Sequence, residues 1–195
     1  RSEVKKSGLK SPWFKRFSVH KTPKDIFAEL SFPCVLKPTF LSASQGVLRV
    51  NSFEEFGKGC EMLSDLLAEE KVKKRGGDQA NWILVEEYIP GKEVSIEGIV
   101  IDGKLKDLAI FDKPEPLEGP IFPETIFITP TILDEHLQFS LLETAQTALQ
   151  ALGISKGPVH IELRINDHGN YILECAARSI GGLCSKVLEF KGGMS

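Results

Sequence analysis

No apolar run in this sequence is long enough to cross a bilayer, and its charged, apolar-poor start is not a signal peptide, so no membrane partner is expected. No cluster of lysine and arginine is dense enough to track a phosphate backbone, and the formal net charge is -3, which argues against nucleic acid as a partner. The cysteines, Cys34, Cys60, Cys175 and Cys184, lack the paired spacing of a metal site and lie in or beside apolar segments. They read as reduced, mostly buried residues of a cytoplasmic protein. Internal repeats and low-complexity tracts are missing too. So is an initiator methionine, and the chain stops at Lys191-Gly192-Gly193-Met194-Ser195 just after an amphipathic start, which reads as a fragment of something larger. What is present is a 42% hydrophobic composition, enough for a real core in one domain or two small lobes.

The most informative stretch runs from Gly157-Pro158-Val159-His160-Ile161-Glu162-Leu163-Arg164-Ile165 through a short turn to Tyr171-Ile172-Leu173-Glu174-Cys175-Ala176-Ala177-Arg178. Both halves alternate apolar and polar residues, the period of a strand with one packed face. Asp167-His168-Gly169 reads as a three-residue hairpin loop with Gly169 at positive φ. In that register Glu162 lies opposite Glu174 on one face, while Ile161, Leu163, Ile165, Tyr171, Leu173 and Cys175 make the other. A two-residue loop would send the two glutamates to opposite faces. Facing carboxylates repel unless a proton or cation lies between them, and a hard divalent cation whose shell phosphates complete is the simplest partner. A hairpin with an ordinary solvated polar face is the alternative.

Upstream, a short polar helix stopped at Gly8 is expected, then an edge strand over 13–19. Thr22-Pro23 opens a short helix to Leu30. Phe32-Pro33-Cys34-Val35-Leu36-Lys37-Pro38 is a buried strand carrying Lys37, and the small, hydroxyl-rich run 39–46 leads into a strand at 47–50. A strand, a Ser/Gly loop and a returning strand can lay N–H groups and hydroxyls over phosphate, with Lys37 as point charge. The spacing is not that of a Walker loop, and a lysine merely solvated at a strand end is the other reading. Ser52-Phe53-Glu54-Glu55 is a capping box for a helix with Phe56, Cys60, Leu63, Leu66 and Leu67 inward. Residues 69–81 read as a charged surface loop. A strand over 82–89 enters a turn, strands 93–101 and 104–113 pair across Asp102-Gly103, and a proline-rich loop fills 114–123. Thr129-Pro130-Thr131 is expected to cap a long helix, 132–152, with Leu133, Leu137, Leu141, Ala145 and Leu149 as its apolar stripe.

The order of these signals is itself informative. A lysine-ended strand with a small-residue loop, Val85-Glu86-Glu87-Tyr88-Ile89-Pro90-Gly91 with Glu93, then Glu162, then Glu174 with Arg178 and Gly181-Gly182, resembles the ATP-grasp superfamily. Phe111-Asp112-Lys113-Pro114, Gly157 to Arg164 and Glu174 to Gly182 are most similar to its branch of amino-acid ligases, carnosine-synthase-like and phosphoribosylglycinamide-synthetase-related proteins. The resemblance implies an α+β fold of two lobes with the nucleotide site between them. The smaller lobe would be 22–88 and the larger 89–195 with a truncated C-terminus, after a tail of a preceding segment at 1–21. It also implies ATP and Mg2+, and ligation of a small-molecule carboxylate to a small-molecule amine through an acyl phosphate.

Carried over residue by residue, the resemblance makes Lys37 the lysine on the nucleotide phosphates, with Ser42, Ser44 and Gly46 in the loop that closes over them. Glu86, Glu87, Tyr88 and Ile89 become the adenine-binding hinge, with backbone groups of Glu87 and Ile89 on the base edge and Glu86 beside its amino group. Glu93 would take the ribose hydroxyls, Glu162 and Glu174 the magnesium, and Arg178 the transferred phosphoryl group. Asp112, Lys113, His160 and Arg164 remain open between contact with the acyl donor and a satisfied polar network around the metal. In two places the sequence departs from the pattern. Ala176 stands where the family has a metal-ligating asparagine, and a second phosphate-binding lysine, which the family places upstream of the Lys37 position after an N-terminal substrate domain, has no counterpart here. Those departures keep a non-catalytic nucleotide-binding regulatory module as the alternative.

Overall fold

The computed structural model describes residues 1–21, 23–114, 118–122 and 126–188. In chain order its elements begin with α1 (Ser2–Lys6), β1 (Phe14–Ser18), α2 (Pro23–Ile26), β2 (Cys34–Pro38), β3 (Leu48–Val50) and α3 (Phe53–Ala68). They continue with α4 (Glu70–Gly76), β4 (Trp82–Glu87), β5 (Lys92–Ile101), β6 (Lys104–Lys113), α5 (Glu135–Ala151), β7 (Gly157–Asn166) and β8 (Gly169–Ala176). Two compact units result, a smaller one of residues 12–88 and 117–124 and a larger one of 1–11, 89–116 and 125–195. The chain passes from one unit to the other between Tyr88 and Ile89. Both units mix helices with an antiparallel sheet, so the fold class is α+β.

The smaller unit has strand order β1-β4-β2-β3. Alternation along β2 sends Cys34 and Leu36 into the core with Ile83 and Val85 of β4, where Phe56, Leu63 and Leu67 of α3 cover them. The start of α3 follows from Ser52, whose hydroxyl accepts the Glu55 N–H at 3.2 Å. The Glu55 carboxylate accepts instead from the backbone N–H of Asn51, at 2.8 Å, one residue before the cap. Gly46 closes the hydroxyl-rich loop at φ 73°, and a Cβ there would come within 2.9 Å of Leu63 and Leu66. The expected surface loop over 69–81 is instead α4 followed by a 3-10 turn, Gly77–Asn81. Its residues are good helix formers, with Glu70 in the first turn and Lys73, Lys74 and Arg75 in the last, the charge order that suits a helix dipole. Val72 packs against the core.

The larger unit has strand order β6-β5-β7-β8, with α5 packed on one face. Leu141, Ala145 and Leu149 are fully buried there, and Leu133 and Leu137 pack partly against them. The helix starts at Glu135 rather than at 132, because Asp134 is the N-cap and accepts the Leu137 N–H at 2.9 Å. Asp102 and Gly103 both have positive φ, as the tight β5–β6 turn requires. Residues 1–21 are shared between the units. Val4 of α1 is buried in the larger core, while β1 is the edge strand of the smaller sheet, paired with β4. Thr22 and parts of the proline-rich loop, 115–117 and 123, lie outside the described residues.

The β7–β8 hairpin departs from expectation in its loop. Asn166 pairs with Gly169, so the loop is the two residues Asp167 and His168. Leu163 then meets Ile172; Leu163 lies in the core as expected, and Ile172 enters it where Tyr171 and Leu173 were expected. Between Glu162 and Leu163 the register shifts, however, and Leu173 is the extra residue of a bulge. That one insertion returns Glu174 to the position opposite Glu162.

Candidate active site

Strand alternation sorts the side chains of the larger sheet into two sets. Val94 and Ile96 on β5, with Ile161 and Leu163 on β7, turn toward α5. Glu93, Ser95, Glu97, His160, Glu162 and Arg164 therefore share the other face, and Lys113 of β6 joins them opposite Glu93. All but Ser95, whose buried hydroxyl finds no partner among the described residues, form a continuous chain of polar contacts. Arg164 donates from Nη1 to the Ile89 carbonyl at 2.7 Å and from Nε to Glu93 Oε2 at 2.9 Å. Lys113 Nζ lies 2.7 Å from Glu93 Oε1 and 2.6 Å from Glu162 Oε1. His160 Nε2 is 3.5 Å from the same Glu162 oxygen, and its Nδ1 bonds the Glu97 carboxylate. Glu97 Oε2 accepts the backbone N–H of Ile180 at 2.9 Å.

Charge neutralisation explains how so many ionisable groups share a buried face. Burial alone would lower the His160 pKa, but the hydrogen bonds and charges of Glu162 and Glu97 outweigh it and hold the imidazole at about 9. Burial also works against the Lys113 ammonium, yet the Glu162 and Glu93 carboxylates raise its pKa above the ordinary value. For Glu162 desolvation pushes upward, whereas the bond from His160 and the charge of Lys113 hold the carboxyl well below the usual range. All three are thus charged at neutral pH.

Glu174 is exposed and faces Glu162 in register, and Ala176 on the same face lies opposite His160. Arg178 is exposed and donates to the Ser179 carbonyl at 3.0 Å. Asp112 does not join the set. It pairs across the sheet with Val94, and its carboxylate accepts from Thr131 Oγ1 at 2.7 Å and the Ile132 N–H at 2.9 Å. Of the four residues left open by the sequence, Lys113, His160 and Arg164 belong to the polar network, and Asp112 braces the approach to α5.

In the smaller unit Lys37 projects away from the core, with Nζ 2.6 Å from Glu86 Oε2. Glu86 is buried, an unusual place for a carboxylate unless it is paired. Ser42 is exposed, and Ser44 and Gly46 have positive φ in the loop that follows β2. Glu87 uses its backbone N–H on the Trp13 carbonyl, at 3.0 Å. Arg49, opposite Val35 on β2, stacks 4.0 Å from the Tyr88 ring and donates to the Glu118 carbonyl at 2.6 Å. Arg49 and Glu97 were not singled out from the sequence. Glu97 carried a usable signal, since Glu93, Ser95 and Glu97 alternate with Val94 and Ile96 in the same two-residue period that placed Glu162.

Among the described residues no three or more His, Cys, Asp or Glu side chains form a metal cage. Facing glutamates suit Mg2+ nonetheless, because that ion is commonly held by one or two carboxylates with phosphate oxygens and water filling its shell.

The model of a family described as ATP-grasp domain matches residues 30–187. The chain belongs to the ATP-grasp family. Among curated proteins, this ATP-grasp chain is 32% identical over 194 residues to an alanine–anticapsin ligase of Bacillus subtilis (strain 168), covering 93% of the chain and 40% of that protein. It is 29% identical to carnosine synthase 1 of Gallus gallus, over 77% of the chain and 16% of that protein. Among solved structures, an L-amino acid ligase from Bacillus licheniformis matches with a TM-score of 0.78 at 32% identity, covering 93% of the chain and 42% of the ligase. A D-Ala:D-Ser ligase from Enterococcus faecalis shares the fold at a TM-score of 0.69 and 20% identity, over 90% of the chain and 50% of that structure. The chain thus spans well under half the length of the curated relatives named here.

Proposed function

We propose that this ATP-grasp chain is the nucleotide-binding part of an ATP-dependent carboxylate–amine ligase acting on small amino-acid-like substrates. The observation that carries the reading is the register of Glu162 against Glu174 on the charged face of the larger sheet, in a chain related to amino-acid ligases. Lys37 and the loop holding Ser42, Ser44 and Gly46 would meet the phosphates. Backbone groups of Glu87 and Ile89 would meet the adenine edge, with Glu86 beside its amino group. Glu93 already binds Lys113 and Arg164, but each carboxylate oxygen has two lone pairs, so it can still accept from ribose hydroxyls.

Glu162 and Glu174 would hold Mg2+, which supplies neutralisation of charge on the phosphate oxygens. A substrate carboxylate oxygen attacks the γ-phosphorus and ADP leaves, giving an acyl phosphate. The amine then attacks the acyl carbon and phosphate leaves with the carboxylate oxygen that it captured. Arg178 is placed by sequence near Glu174 to meet the transferred phosphoryl group, and Lys113 and His160 hold the Glu162 carboxylate ionised and oriented. Losing one such preorganised charge typically costs about 10²-fold or more in kcat.

The test offers full-length protein Mg2+, ATP and amino acids in pairs. ADP release that requires both partners supports the ligase. A nucleotide that binds but is never turned over favours the second reading, a non-catalytic module, for which Ala176 opposite His160 is the specific observation.

A further inference from the structure

Glu97 is 1% exposed and belongs to neither the expected nucleotide contacts nor the expected metal ligands. A carboxylate so deeply buried is costly unless both oxygens are satisfied, and here they are satisfied in two directions. One oxygen bonds His160 Nδ1, whose ring then points Nε2 at the Glu162 oxygen 3.5 Å away. The other accepts the N–H of Ile180, two residues beyond Arg178, and Ile180 is itself buried at 7% exposure. Beyond β8, which ends at Ala176, the Arg178 segment has no sheet ladder to hold it. Arg178 and its neighbours Ala177 and Ser179 are exposed, and among the described residues the Arg178 guanidinium reaches only the adjacent Ser179 carbonyl. The Glu97 carboxylate is thus a fixed tether between the strand that faces Glu162 and the loop that carries Arg178.

We propose that Glu97 is a positioning residue for phosphoryl transfer: it holds the Arg178 loop, through the Ile180 N–H, in register with the Glu162 carboxylate that it orients through His160. This rests on the ligase reading given above. Glu97 touches no substrate and acts through Arg178 and Glu162. Removing it lets the loop drift while leaving the arginine present, and a misplacement of about 1 Å is enough to cost ~10²-fold in rate.

The experiment is a double-mutant cycle in the full-length protein, with kcat and KM for ATP measured for wild type, Glu97→Ala, Arg178→Ala and the double variant. Glu97→Ala is expected to lower kcat about 10²-fold with KM for ATP changed much less, and to add little once Arg178 is gone. Glu97→Gln is expected to recover most of kcat, because an amide oxygen can still accept from Ile180 while the amide nitrogen donates to a neutral imidazole. Full additivity of Glu97→Ala with Arg178→Ala, or no recovery in Glu97→Gln while its unfolding midpoint matches wild type, overturns the proposal. Amide hydrogen exchange gives an arm that does not depend on turnover. The Ile180 N–H is expected to exchange faster in Glu97→Ala than in wild type or Glu97→Gln, with the β5–β7 ladder unchanged. Unchanged Ile180 exchange in Glu97→Ala contradicts the tether. Wild type that releases no ADP with any substrate pair sinks the ligase reading, and the exchange result then still judges the tether by itself.

Discussion

Lys113 decides the electrostatics of the charged face. Its ammonium touches Glu93 and Glu162 within 2.7 Å while only 9% of its side chain is exposed, so Lys113→Met would leave two carboxylates without their shared cation. Breaking a buried pair from one side costs about 3–5 kcal/mol, and a loss of that size in urea unfolding is expected. A loss under about 1 kcal/mol, the range of an exposed pair, would mean that the ammonium is not the keystone of the cluster. Glu174 is the opposite case. Because it is exposed, Glu174→Ala should shift the unliganded stability by no more than about 0.5 kcal/mol. Mg-ATP at a hundred times Kd stabilises a native state by about 2.7 kcal/mol. That thermal shift should be present in wild type and missing in Glu174→Ala; an undiminished shift in the variant removes Glu174 from the metal site.

At the scale of elements, the β7–β8 hairpin shows how a wrong step and a missed one can cancel. The alternation from Val159 to Arg164 and the pairing of Glu162 with Glu174 were legible, but the loop is one residue shorter than expected and Leu173 is the compensating bulge. Nothing in the apolar-polar pattern marks a bulge whose extra residue is itself apolar, which is why Tyr171 and Leu173 were assigned to the core in place of Ile172. Deleting Leu173 removes the extra residue, so Glu174 follows Ile172 directly and still meets Glu162; the Mg-ATP shift should be retained in the deletion, as in Leu173→Ala. Loss of the shift in the deletion alone would contradict this register. Capping was read with mixed success for a similar local reason. Ser52 was rightly read as the cap of α3, whereas the cap of α5 was placed at Thr129-Pro130-Thr131, although Asp134 is the N-cap and Thr131 is instead a donor to Asp112. The Lys113–Glu93–Arg164 cluster was out of reach, because it depends on register between β5, β6 and β7 that local periodicity does not specify.

For the whole molecule, buried thiols in both units set the response to alkali. Burial pushes the thiols of Cys34 and Cys60 in the smaller unit up to about 12, and that of Cys175 in the larger to about 11. In the unfolded chain these thiols titrate near the ordinary 9.0, so between that pH and the native values the native state binds more protons. Stability is therefore fully present below about pH 9 and falls as pH rises toward 12. Urea midpoints taken from pH 8 upward should decline, and less steeply in Cys60→Ala; a variant slope equal to wild type would show that this thiol does not contribute.

The central claim is that the chain serves a ligase that activates a carboxylate by phosphorylating it. With a substrate pair in hand, its most direct test labels the carboxylate with 18O and follows the label into released phosphate. A single labelled oxygen is expected in each phosphate, delivered through the acyl phosphate, only when Mg2+ and ATP are present. Phosphate released without label, with oxygen drawn from water instead, would contradict it.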